Sequence, residues 1–170
     1  MRYSYGTDRG FTLVEALIYI AIFVFISVGS IGLVMASQEL LSQYLVRQNL
    51  FVSGTTIMER VLVEVREADD VVVSGSAFAT TTGALALATA SGTIQFTYDP
   101  VESHLLLTES DGRSVSLHAD NVAVTEFVVD RYTHDTSTLL RIRVGLLAGR
   151  QAYEETYTLR GGAIIRGSYE

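Results

Sequence analysis

Side chains with chemical potential are few, and the first stands in an unexpected place. Glu15 is the single charged residue between Phe11 and Ala36, a run of 26 residues that is otherwise apolar, small or uncharged. A carboxylate at mid-membrane costs on the order of 2.5–3.5 kcal/mol, and less near the end of a span. Such a group either reaches the headgroups, takes a proton or meets a cationic partner. His104, His118 and His134 lie in or beside expected strands, without the i, i+2 or i, i+4 spacing that gathers a metal site from local sequence, and read as solvated or capping residues. His134-Asp135 with Ser137 nearby suggests a hydrolase triad. There is no Gly-x-Ser-x-Gly turn to present a nucleophile, so no catalytic residue is expected. The acids Asp69-Asp70, Glu154-Glu155 and the group Asp99, Glu102, Glu109, Asp111 match no calcium loop and read as a helix end and solvated turns. No metal or cofactor is expected. Arg141, Arg143, Arg150, Arg160 and Arg166 crowd the last 30 residues, spaced so that one sheet face can carry several of them. Strand-edge solvation is the simplest use of such a face; pairing with acids of a neighbouring subunit, or less favourably with DNA, is the alternative.

The elements that position these residues begin with the apolar run itself. As a helix, 26 residues span roughly 39 Å at about 1.5 Å each, enough for a hydrocarbon core about 30 Å thick. A secretory signal peptide has a shorter apolar stretch, ended by a small-residue cleavage site. Arg2 and Arg9 precede the run and the first base after it is Arg47, so the positive-inside bias puts the N-terminus in the cytoplasm and the rest outside. The 170 residues carry 19 acids against 12 bases, a net charge of −7, and all the bases are arginine. That balance argues against bulk nucleic-acid binding. Cysteine is absent, so the chain must fold by packing without disulfides.

Arg9-Gly10-Phe11-Thr12-Leu13-Val14-Glu15, with the apolar span behind it, resembles the class III leader signature of type IV prepilins and type II secretion pseudopilins. The resemblance implies that a membrane-embedded prepilin peptidase cuts between Gly10 and Phe11 and N-methylates Phe11. The new Phe11 amine would then partner Glu15 during assembly, because neutralising opposite charges at low dielectric offsets the desolvation of both. Many members of the family carry a proline in the middle of the helix; here Gly29, Gly32 and Gly54 are the only weak points.

Beyond the span, Ser37, Leu41, Tyr44, Gln48, Phe51, Thr55, Met58, Leu62 and Val65 recur every three or four residues, with Leu40, Leu45, Val52 and Val61 widening the stripe. This predicts an amphipathic continuation of the helix from about Thr12 to about Ala68. After Asp69-Asp70 the period changes, and Val71-Val72-Val73 starts a strand-rich region. Ser74–Ser91 reads as one weak strand or loop. Thr93–Tyr98, His104–Glu109, Arg113–His118, Val122–Tyr132, Ser137–Leu147 and Ala152–Arg160 read as strands, set apart by turns such as Asp99-Pro100 and Asp111-Gly112. The expected fold class is α+β and pilin-like, a long N-terminal helix packed on one antiparallel sheet. Its parts are a leader (1–10), the transmembrane half of the helix (11–36), an amphipathic stem (37–68) and a β-rich extracytoplasmic head (69–170).

The expected role is a structural subunit, of the minor kind, in a type IV pilus or type II secretion pseudopilus. The helix end Met58–Ala68 and the terminal Tyr157-Thr158-Leu159-Arg160 resemble minor pseudopilins of the J type or minor pilins of the W type. Expected partners are the prepilin peptidase, other pilin or pseudopilin subunits, an inner-membrane assembly platform and the lipid bilayer. A binding head for adhesion or DNA uptake is the alternative, and an anchored enzyme would need a site the sequence does not display.

Overall fold

A computed structural model describes residues 12–134, 137–150 and 153–165, with only the backbone of Arg150. The fold is α+β: a helix α1 (Leu13–Glu67) is followed by β1 (Asp70–Val71), β2 (Ala84–Thr89), β3 (Gly92–Asp99), β4 (His104–Thr108), β5 (Ser114–Ser116), β6 (Val122–His134), β7 (Ser137–Arg150) and β8 (Tyr153–Ile164). With no proline before Pro100, nothing interrupts the helix, and its ends fall within one residue of those expected. The chain divides into two compact units, one up to Leu41 and one from Ser42, and α1 contributes to both.

In the first unit the apolar side chains face outward, among them Leu17, Phe23, Phe25, Ile31 and Leu33. The hydroxyls of Ser27, Ser30 and Ser37 each donate to the carbonyl four residues back, at 2.8, 2.9 and 2.8 Å. These polar groups are satisfied within the helix, as an apolar surrounding demands. The helix is long and apolar enough to cross a membrane, consistent with a single-pass membrane protein.

In the second unit α1 buries Ser42, Val46, Leu50, Ser53, Gly54, Ile57, Met58, Val61 and Val65. The predicted stripe is therefore turned relative to the observed one. Met58, Val61 and Val65 are inside, but Tyr44, Phe51 and Val52 are 63, 59 and 55 % exposed. Small residues caused the misreading. Gly54 lies so close to β8 that an added Cβ would collide with Leu159 Cδ1, and a Cβ on Gly161 would meet Met58 Sδ at 2.6 Å. Helix and sheet thus approach closely at Gly54 and at Gly161, positions with no side chain to signal burial.

The single sheet expected is two. Strands β1 to β5 form an antiparallel meander in chain order, and β6, β7 and β8 form a separate antiparallel sheet. β5 is three exposed residues, too short to carry the ladder onward. The outer edge of β6 is already occupied by the strip before β2: Ala79 N–H donates to Val129 O (2.9 Å), Phe127 N–H to Thr81 O (3.0 Å) and Gly83 N–H to Phe127 O (2.8 Å). The buried Tyr98 hydroxyl donates to Val124 O at 3.0 Å and ties the sheets together. Thr125 is an extra residue between the pairs Val124–Leu146 and Glu126–Gly145. This bulge moves the inward set from Val122 and Val124 to Phe127 and Val129.

Other differences are local. Val73–Gly75 is a 3-10 turn where Val73 was expected to continue a strand, the weak strand or loop expected over Ser74–Ser91 contains a full strand at Ala84–Thr89, and β7 and β8 run on to Arg150 and Ile164. The core combines the inner faces of both sheets with α1, and Phe96, Phe127, Leu140, Ile142 and Leu146 are fully enclosed.

Candidate functional site

The start of α1 holds the candidate site. Gly10 and Phe11 lie outside the described residues. Thr12 is the N-cap: Glu15 N–H donates to Thr12 Oγ1 at 3.3 Å, and Ala16 N–H donates to Thr12 O at 3.1 Å. Thr12-Leu13-Val14-Glu15 has the Ser/Thr-x-x-Glu pattern of a capping box, whose last residue sits in the first helical turn where a negative charge suits the helix dipole. Sequence reasoning missed Thr12, although the pattern was there to read. Glu15 is exposed, and no charged side chain follows it until Glu39. The arrangement is a carboxylate presented at the outer surface of an apolar helix.

Of the expected arginine face, Arg141, Arg143 and Arg160 come together on the outward side of the β6–β8 sheet. Arg143 stands directly opposite Arg160, and Arg141 stands between Asp130 and Gly162. Arg150's side chain and Arg166 lie outside the described residues.

Asp70, Asp99 and Asp111 serve their own turns. Asp70 Oδ1 accepts Val71 N–H at 2.7 Å, Asp99 Oδ1 accepts Val101 N–H at 2.8 Å, and Asp111 Oδ1 accepts Arg113 N–H at 2.9 Å. Glu155 Oε2 accepts from Tyr153 Oη at 2.6 Å and from Arg47 Nε at 2.9 Å, linking β8 to α1 within the second unit. The tyrosine hydroxyl first, then the guanidinium, holds the Glu155 carboxyl below its ordinary value, and the same contact raises Arg47.

The His104 and His118 rings meet edge to face, centroids 4.8 Å apart. Of the solvated or capping roles expected, His118 is nearer the second: Nδ1 lies 3.0 Å from Ala119 O, while Nε2 is buried with no hydrogen-bond partner. Among the described residues no three His, Asp or Glu side chains are grouped to hold a metal ion, and Asp135 of the conceivable triad lies outside them. The chain matches no protein-family model, no curated protein and no solved structure.

Proposed function

We propose that this chain is a prepilin-like structural subunit: a prepilin peptidase cuts between Gly10 and Phe11 and methylates Phe11, and the subunit then enters a pilus or pseudopilus filament through its N-terminal helix. The observation that carries the reading is the run Arg9–Glu15, in register with an apolar helix that begins at Leu13. Arg2 and Arg9 hold the leader at the cytoplasmic side, and the β-rich unit lies outside. Two features support assembly. Glu15 stays exposed on an apolar surface, where a cationic Phe11 amine of a neighbouring subunit would neutralise it. Leu40, Leu41, Tyr44, Phe51 and Val52 add further exposed apolar surface, suited to burial against other helices. The machine's other components would be its peptidase, its companion subunits and its membrane platform.

A purely structural role for Glu15 as the last residue of a capping box competes with this reading, and one substitution separates them. Glutamine suits that capping position as glutamate does but carries no charge. In the native host, Glu15→Gln should leave cleavage intact and reduce incorporation into sheared filaments at least ten-fold. Wild-type incorporation of Glu15→Gln would leave Glu15 with capping alone.

A further inference from the structure

Like charges directly opposite each other across two strands are destabilising, yet the β7–β8 ladder sets Arg143 opposite Arg160, with Arg141 two residues along on the same face. The chain is acidic overall, so opposite charge was abundant. Even so, none of these three arginines makes an ion pair among the described residues. Asp130 stands opposite Arg141 and Glu126 opposite Gly145, which leaves the Arg143–Arg160 pair without a facing acid. Strand register therefore concentrates positive charge at one spot of the outward sheet face.

The same unit carries a complementary surface elsewhere. Where α1 ends beside the β2–β3 and β4–β5 turns there is an open groove of about 520 Å³, floored by Ile94 and Leu107 and walled by Glu64, Glu67, Glu109 and Asp111. Arg60 offsets Glu64 at 2.7 Å and Arg113 meets Asp111 at 3.3 Å, while Glu67 and Glu109 have no ion partner among the described residues. Guanidinium groups pair with carboxylates through two parallel hydrogen bonds, and an apolar floor suits their flat faces.

We propose that the Arg143–Arg160 face of one copy docks into the Glu67–Glu109 groove of a second copy of this chain. The two surfaces differ, so the contact is heterologous and head to tail, the kind that propagates into a filament instead of closing into a dimer. The inference rests on the assembly reading above only in requiring that copies meet, and its test does not depend on leader processing.

The chain has no cysteine, so introduced thiols are unique probes. Full-length Ser110→Cys, at the groove, and Thr158→Cys, beside Arg160, are mixed in detergent micelles and oxidised. The mixture should give a disulfide-linked dimer of one chain of each kind, with neither chain linking to itself. Arg143→Glu with Arg160→Glu in the Thr158→Cys chain should lower the yield at least ten-fold, as should Glu67→Arg with Glu109→Arg in the Ser110→Cys chain. Mixing the two charge-reversed chains should restore it. Salt at 1 M, where the screening length is about 3 Å, should reduce the wild-type yield. Unchanged tyrosine near-ultraviolet dichroism shows that the variants are folded, and Arg143→Gln with Arg160→Gln replaces the reversal if it is not. No linked dimer, equal self-linking, or no rescue in the doubly reversed mixture overturns the proposal. So does salt-sensitive binding of a labelled DNA duplex that needs both arginines while linking ignores them. Linked dimers from a chain that keeps Met1 in its host would retain this contact and reject the processing reading; the converse would reject the contact alone.

Discussion

The face that α1 turns toward the sheets is tested by comparing Ile57→Ala with Phe51→Ala. Ile57 is fully buried among both sheets, whereas Phe51 is 59 % exposed beside the groove of about 340 Å³ that it lines with Arg47, Leu50, Glu155 and Tyr157. Ile57→Ala removes three carbons. At about 0.8 kcal/mol for each buried methylene, the transfer loss is roughly 2.4 kcal/mol, and the cavity left behind brings the total to about 3–4 kcal/mol, within the usual range for such truncations. Phe51→Ala removes a larger side chain but vacates mostly solvent-facing space, and is expected to cost under about 1 kcal/mol. Urea unfolding of the full chain in micelles, followed by tyrosine near-ultraviolet dichroism, reads the difference. With a slope of about 2 kcal/mol per molar, Ile57→Ala should lower the midpoint by roughly 1.5–2 M and Phe51→Ala by less than about 0.5 M. Equal losses, or a larger loss for Phe51→Ala, would mean that the helix is rotated and that the stripe through Tyr44 and Phe51 is the buried one.

Tyr98→Phe removes the donor to Val124 O from a buried site; leaving that carbonyl unsatisfied should cost about 1–3 kcal/mol in the same unfolding assay. Thr12→Val removes the cap oxygen 3.3 Å from Glu15 N–H, and amide exchange at Glu15 should quicken while that of residues two turns further on does not. The Glu155 carboxyl is held below its ordinary value, so it contributes stability above the unfolded carboxylate pKa. That contribution is lost as pH falls through the lower folded value. Glu155→Gln should accordingly flatten the acid side of a melting-temperature profile against pH and leave the alkaline side unchanged.

The reach of α1 was legible because apolar periodicity and missing proline act locally. Strands β3 and β4 were legible because Asp99-Pro100 and Asp111-Gly112 mark the turns beside them. What was not legible depends on tertiary contact. The buried helix face escaped notice because Ser42, Ser53 and Gly54 are buried yet carry no hydrophobic signal, and Gly54 is enclosed by Leu159 of β8. β2 was hidden in an Ala/Leu/Thr run with small side chains. The split into two sheets hinges on Ala79–Gly83, an irregular strip that takes the β6 edge through backbone groups alone. Gly161 and Gly162 read as a strand end, yet β8 continues through them because Gly161 makes room for Met58. In the candidate site Glu15 was visible as a charge in an apolar run, and the shared face of Arg141, Arg143 and Arg160 was visible as alternation. Their register, which sets Arg143 against Arg160, was not.

Processing at the Gly10–Phe11 bond is the central step of the proposed function. Intact-mass and N-terminal peptide mass spectrometry of the protein from its native host tests it most directly. The expected chain begins at Phe11, lacks the first ten residues and carries a methyl group on the terminal amine. A chain that retains Met1–Gly10 in the assembled fraction would contradict prepilin-type processing.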